Sequence, residues 1–205
     1  MKSNTIKKRI KKSELTLGTW VTIGHSSIVE ILAQADFDWL TIDIEHNLID
    51  QSSLQHMIIA GQAANKAVLV RVPKNEEVYI KHSLDAGADG VIVPMINSAE
   101  DARKAVAHSY YPPFGTRGVG LSRAQGFGKK FNEYKDWSNE NLIVIAQIEH
   151  KDAIENLEEI AEVKGIDAMM IGPYDLSASM GYPGEFDLPI VKEAMGKFTY
   201  FCESK

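Results

Sequence analysis

Short apolar runs recur along the chain, each followed by a longer amphipathic stretch. Leu17 to Ile23, Trp39 to Ile44, Ala67 to Val72, Gly90 to Met95, Leu142 to Ile148 and Ala168 to Ile171 read as strands. Most are too continuously apolar for a sheet wetted on one side, which predicts burial on both faces. Helix signals fill the intervals. Asn75 precedes a segment ending at Gly87, Ser98 caps a segment with Asp101 in its first turn, and Asp152 does so with Glu155. Gly87, Gly165 and, less cleanly, Gly61 close a helix shortly before the next strand. The repeat is βα, so a parallel sheet with helical crossovers is expected.

The interval between the fourth and fifth strands is about twice the others and holds Tyr110 to Trp137, rich in Gly, Pro and aromatics. It reads as a long loop excursion, and such excursions are usually functional. No linker or composition break divides the chain, so residues 1–205 are expected to form one domain. Two architectures suit the repeat, a doubly wound open sheet and a (β/α) barrel of the TIM type. The first calls for a Gly-rich phosphate turn after the first strand, and Ile23-Gly24-His25-Ser26 does not supply one. Charged residues gather instead where strands end: Asp43, Glu45 and His46; Arg71; Glu149 and His150; Asp175. That is the barrel active-site pattern, and the barrel is preferred.

Composition narrows the function classes. With 44% hydrophobic and 24% charged residues, the chain is neither disordered nor a disulfide-stapled miniprotein. Its net charge is -6, and Lys2, Lys7, Lys8, Arg9, Lys11 and Lys12 crowd the N-terminus, leaving the rest more acidic still. A nucleic-acid role is not expected for the folded body. The basic N-terminus reads as a solvated first helix, without the apolar segment of a secretory signal, and no run is long enough for a membrane helix. A single cysteine, Cys202, fits a reducing cytoplasm.

Several strand-end residues could carry chemistry. Glu149 and Asp175 end consecutive strands, where ionised carboxylates would repel unless a cation joined them. Such a pair suits Mg²⁺ or Mn²⁺; alternatively Asp175 caps a helix and Glu149 pairs with a surface lysine. Arg71 interrupts an apolar run, either as an anion clamp in the barrel mouth or in an internal salt bridge to Asp43 or Glu45. His46 stands beside two acids that could tune it toward a base, and His25 could edge the site. His56, His82 and His108 read as helix-surface positions. Gly115 to Gly120, with Arg117, offers an anion cradle, a lid or a subunit contact, and Met169-Met170 reads as barrel packing.

Taken in order, several segments resemble one family. They are Trp39 to His46, Val70 to Pro73, Ala86 to Pro94, Arg117 to Gly120, Gln147 to Glu149 and Ile171 to Ser177. This series is similar to the HpcH/HpaI-type class II aldolases, the 2-dehydro-3-deoxyglucarate and 4-hydroxy-2-oxo acid aldolases. The resemblance runs from about Leu17 to Gly184. It implies a phosphoenolpyruvate/pyruvate-type barrel that cleaves a 2-keto-4-hydroxy acid to pyruvate and an aldehyde. It also implies a homo-oligomer with a divalent metal, Mg²⁺ or Mn²⁺ with Co²⁺ a further option, held by Glu149 and Asp175. By the same resemblance Arg71 stabilises the enolate oxygen and His46 is the acid/base group, with Asp85 as its partner. Asp43 orients Arg71, Gln147 lies beside the metal, and Gly172, Pro173, Tyr174 and Arg117 contribute to substrate binding. No Lys Schiff base is needed, and Lys74, the only lysine near a strand end, is poorly placed for one.

Barrels of this kind usually run to ~250 residues with eight strands. After Ile171, Pro189 to Phe201 reads as one helix, and no seventh or eighth strand is found. The expectation is a barrel lacking its last two βα units, which associates tightly or works poorly. Two further readings stay open: a citryl- or malyl-CoA-type lyase, and an inactive relative serving as an interaction subunit.

Overall fold

Six parallel strands pair in sequence order: β1 (Gly18–Val21), β2 (Trp39–Asp43), β3 (Ala67–Arg71), β4 (Gly90–Val93), β5 (Ile143–Ile148) and β6 (Ala168–Ile171). The structure is a computed structural model that describes residues 4–204. Every expected strand is present, all but β6 trimmed at one or both ends. Between and around them lie α1 (Thr5–Ile10), α2 (Ser26–Ala33), α3 (Gln51–Ala63), α4 (Glu77–Ala86), α5 (Ala99–Ser109), α6 (Phe131–Asn141), α7 (Lys151–Glu155), α8 (Leu157–Ala161), α9 (Pro173–Ser179) and α10 (Pro189–Ser204). Trp20 of β1 and Met170 of β6 line the same cavity although their strands are the two ends of the sheet order. The sheet is therefore curled, a parallel α/β half-barrel.

Alternate residues of each strand pack on opposite faces. Val68, Val70, Val91, Val93, Val144 and Ala146 face the helices, in a core that includes Met57, Ile58, Ile80, Leu84 and Ile160. Leu69, Ile92, Ile143 and Ile145 form a second cluster on the concave face. Both faces are thus dry over β2 to β5, as the unbroken apolar runs require, while β1 and β6 at the ends of the sheet are partly exposed. Gly61 lies inside α3, not after it; a Cβ there would meet Val68 Cγ2 at 2.5 Å, so the glycine permits helix and strand to touch.

Some local expectations fail for identifiable reasons. α1 is not solvated: Ile6 packs into the concave cluster and Lys7 is 5% exposed. The Lys7 ammonium pairs with Asp167 at 3.0 Å and donates to the Leu142 carbonyl. Burial lowers its pKa against the pull of Asp167. Asn75 does precede α4, which ends at Gly87 as expected; it donates to the Asp101 carbonyl, and Glu76 takes the N-cap position. Asp152 sits in the first turn of α7, whose amide is capped by the His150 ring. Ser98 caps α5 as expected, accepting from the Asp101 amide at 3.1 Å. The excursion between β4 and β5 is partly helical, holding a 3-10 turn at Arg123–Gln125 and α6. Among the described residues no helix is long and apolar enough to cross a membrane.

Candidate active site

The C-terminal edge of the sheet gathers most of the strand-end residues. Register places Asp43 directly beside Arg71, and the two form a fork: Arg71 Nε donates to Asp43 Oδ1 at 2.9 Å and Nη2 to Oδ2 at 2.7 Å. The guanidinium lies 4.6 Å over the Trp20 ring, which ties β3 to β1 across the curl. Burial opposes the charge on Arg71, but Asp43 and Glu45 outweigh it and hold the arginine's pKa above its ordinary value. Burial likewise opposes the Asp43 carboxylate, and Arg71 overcomes it, so Asp43 titrates below the usual range. The internal salt bridge to Asp43 is therefore present, and the fork leaves part of the guanidinium unspent.

Glu149 stands one residue beyond β5 and is 2% exposed. Its Oε1 accepts from the Met95 amide at 2.7 Å and its Oε2 from the Gln147 side chain. Among the described residues no lysine pairs with it. Gly172 presses against the same carboxylate: a Cβ there would lie 2.8 Å from Glu149 Oε2 and 3.2 Å from Gln147 Nε2. Asp175 occupies the first turn of α9 without capping it and is exposed. Burial, with Asp175 adding to it, pushes the Glu149 carboxyl above the usual range.

Asp43, His46, Arg71, Gln147, Gly172, Pro173, Tyr174 and Asp175 line one cavity of about 430 Å³, with Glu149 behind it. A second cavity of about 430 Å³ opens at the N-terminal end of the strands, against Gln62, Lys66, Asp89 and Arg123. The first gathers four acids, Asp43, Glu45, Glu149 and Asp175, around Arg71. Gln147 Oε1 and Glu45 Oε2 are buried there without a hydrogen-bond partner. Such a surplus of hard oxygen donors fits a divalent cation such as Mg²⁺ or Mn²⁺. Among the described residues no three His, Cys, Asp or Glu side chains form a ready metal cage. Glu149 and Asp175 would therefore share the ion with water and substrate oxygens.

The remaining expected residues fall elsewhere. Within this chain Asp85 accepts from Arg117 at 2.5 Å. The carboxylate beside His46 is Glu45, with Oε2 3.7 Å from Nε2. Arg117 cannot reach the cavity as a substrate ligand, because it is 1% exposed and sandwiched by Tyr111 and Tyr134, 4.7 and 5.5 Å from their rings. Its Nη1 donates to the Tyr134 hydroxyl at 3.1 Å. His25 is spent capping α2. Met95 and Trp20 carry parts of the site to which the sequence assigned no role, whereas Glu45 was already named as a partner for Arg71 and an acid beside His46.

A family model described as HpcH/HpaI aldolase/citrate lyase matches residues 16–204. The chain belongs to the HpcH/HpaI aldolase/citrate lyase family. It is 40% identical over 192 residues to the 2-keto-3-deoxy-L-rhamnonate aldolase of Escherichia coli K12, covering 93% of this chain and 72% of that protein. It is also 40% identical over 196 residues to the hydroxypyruvate/pyruvate aldolase of Roseobacter denitrificans, covering 95% and 76%. A solved structure of an HpcH/HpaI family protein from Burkholderia cenocepacia J2315 superposes with a TM-score of 0.89 at 35% identity, covering 95% of this chain and 79% of that one. Membership makes the chain an enzyme of the class II aldolase type, a class that depends on a divalent metal.

Proposed function

We propose that the chain catalyses reversible cleavage of a 2-keto-4-hydroxy acid to pyruvate and an aldehyde. The observation that carries this reading is the convergence of Asp175 and the Asp43–Arg71 fork on one cavity, with Glu149 packed against Gln147 and Gly172 of its wall. A divalent ion held by Glu149 and Asp175, with Mg²⁺, Mn²⁺ or Co²⁺ the candidates, would supply positive charge to the carboxylate and keto oxygens of the keto acid. Arg71, fixed by Asp43, would face the negative charge that develops on the C2 oxygen as the C3–C4 bond breaks. His46 would take the proton of the C4 hydroxyl and a proton would return to C3, giving pyruvate. The start of α9, with Gly172, Pro173 and Tyr174 on the cavity wall, would take the substrate carboxylate, and Gln147 would hold the Glu149 side chain in place.

The curled sheet supports reading the six βα units as consecutive parts of a single-domain TIM-type barrel. Exposed Val119, Leu121 and Phe127 along the excursion support self-association into a homo-oligomer. Free Cys202 supports a reducing, cytoplasmic setting. The test is pyruvate release from 2-keto-4-hydroxy acids of graded length, with chelator and then with each metal restored. Metal-dependent pyruvate is expected; its absence across the series rejects the assignment.

A further inference from the structure

We propose that the cavity at the N-terminal end of the strands is a second binding site, for a small organic carboxylate bearing one negative charge. It stands independently of the aldolase reading, at the end of the sheet away from Arg71 and Glu149. At about 430 Å³ it falls within the ~300–1,000 Å³ of small-molecule pockets. Two cations line it: Lys66, between α3 and β3, and Arg123, from the 3-10 turn of the excursion. One acid joins them, Asp89, just ahead of β4. Trp137 of α6 adds an aromatic wall, backed by the stacked Tyr134 ring 5.8 Å away.

The positive charges are held but not cancelled. Lys66 Nζ donates to the Ala35 and Phe37 carbonyls at 3.0 and 2.7 Å. Arg123 Nη1 donates to Gln62 Oε1 at 3.0 Å and to the Ala86 carbonyl at 2.8 Å. All four acceptors are neutral, and among the described residues no carboxylate forms a salt bridge with either side chain. Gly87 lets the guanidinium lie against the end of α4, since a Cβ there would overlap Arg123 Nη1. Burial pulls the Arg123 pKa below its ordinary value, and Asp89 offsets only part of that. Arg71 and Arg117 are held above theirs by their neighbours despite burial. Arg123 is thus a fixed guanidinium short of a counter-charge, with an edge of donors still to spend.

The balance of charge selects the ligand. Two cations against one carboxylate leave a single positive charge in the cavity, which one carboxylate group answers. A phosphate dianion would bring its second charge up against Asp89, at a cost that burial enlarges. The free edge of Arg123 suits the two oxygens of a carboxylate, and the Trp137 ring suits a short carbon chain. Asp89 accepts from the Val68 amide near the start of β3, the strand that ends in Arg71. The site therefore touches the frame of the active site, although the two cavities share no lining residue.

The chain has three tryptophans, and two of their indole N–H signals report the cavities separately: Trp137 the new site and Trp20 the active site. The experiment titrates D-glycerate, and separately inorganic phosphate, into the ¹⁵N-labelled, metal-replete full chain at mildly alkaline pH, where phosphate is a dianion. Glycerate should shift Trp137 saturably, and phosphate much less. Arg123→Gln should weaken the Trp137 response by at least ~10-fold and leave the Trp20 signal as in wild type. Asp89→Asn, which keeps an acceptor for Val68 and removes a negative charge, should tighten glycerate binding ~2–5-fold and admit phosphate. Absence of a saturable Trp137 shift overturns the proposal, as does a shift that survives Arg123→Gln. Phosphate bound more tightly than glycerate by wild type overturns the assignment to a monoanion. Where Arg123→Gln fails to fold, Asp89→Asn decides: glycerate affinity unchanged or weakened there overturns the proposal.

Discussion

The amide of Met95 donates to Glu149 at 2.7 Å from a backbone with φ 54°, so the end of β4 holds the carboxylate that ends β5. A side-chain-bearing residue in the left-handed region costs on the order of 1 kcal/mol, and that conformation is what aims the amide. Met95→Gly keeps the donor and relieves the backbone, so metal affinity should hold and stability should change by less than about 1 kcal/mol. Met95→Pro removes the donor and forbids the φ, so metal affinity should fall at least tenfold. Calorimetric titration decides; equal affinity in Met95→Pro would show that the hydrogen bond does not prepare Glu149.

Arg71 and Glu149 should separate in kinetics. Arg71→Lys keeps a positive charge but cannot reproduce the two-pronged contact with Asp43, so the charge is no longer held where the transition state needs it. Turnover should fall by ~100-fold or more, with metal affinity close to wild type. Glu149→Gln removes one of two carboxylates from the cation site, so its first loss should be metal affinity, by about tenfold or more. Both variants losing the same property would join roles that the geometry keeps apart.

What could be read from sequence divides along the range of the contacts. Asp43, Arg71 and Glu149 were visible because each interrupts or ends a buried apolar run, and a charge there needs a partner. Parallel register then puts Asp43 beside Arg71 without further information. Arg117 was misread because a charged residue among glycines suggests an exposed loop. Its actual partners, Asp85 and Tyr134, lie far along the chain in either direction. Lys7 failed likewise: its neighbours are basic, while its counter-charge, Asp167, comes from just before β6. Met95 could not have been found, since its backbone amide is what matters and the methionine side chain carries no hint of that.

The Arg117–Asp85 pair should be read as a pin for the excursion between β4 and β5. Arg117 has no exposed side-chain surface and Asp85 only 18%. Asp85→Asn would leave a buried guanidinium without its counter-charge, at a cost on the order of 3 kcal/mol. Melting temperature should fall by several degrees, with metal affinity retained in the folded fraction. A variant as stable as wild type, with catalysis lost, would return Asp85 to the acid/base machinery.

Asp89 makes stability depend on pH at a point remote from the active site. Its Oδ2 accepts from the Val68 amide at 2.9 Å, bracketing the start of β3. Burial pushes its carboxyl up to about 6, against the Val68 amide, Gln62 and Arg123. Between the ordinary carboxylate value and about 6, the folded protein holds a proton that the unfolded chain has released. Stability from this group is therefore greatest at the acid end of that window and falls as pH rises through it, by at most about 3 kcal/mol. Glu45 and Glu149 are also raised and share the sign, so the contribution of Asp89 must be taken as a difference. Asp89→Asn keeps an acceptor for Val68 and removes the titration; urea unfolding from about pH 4.5 to 7.5 should show a shallower decline than wild type. Parallel declines in the two proteins would mean that Asp89 titrates no differently folded than unfolded.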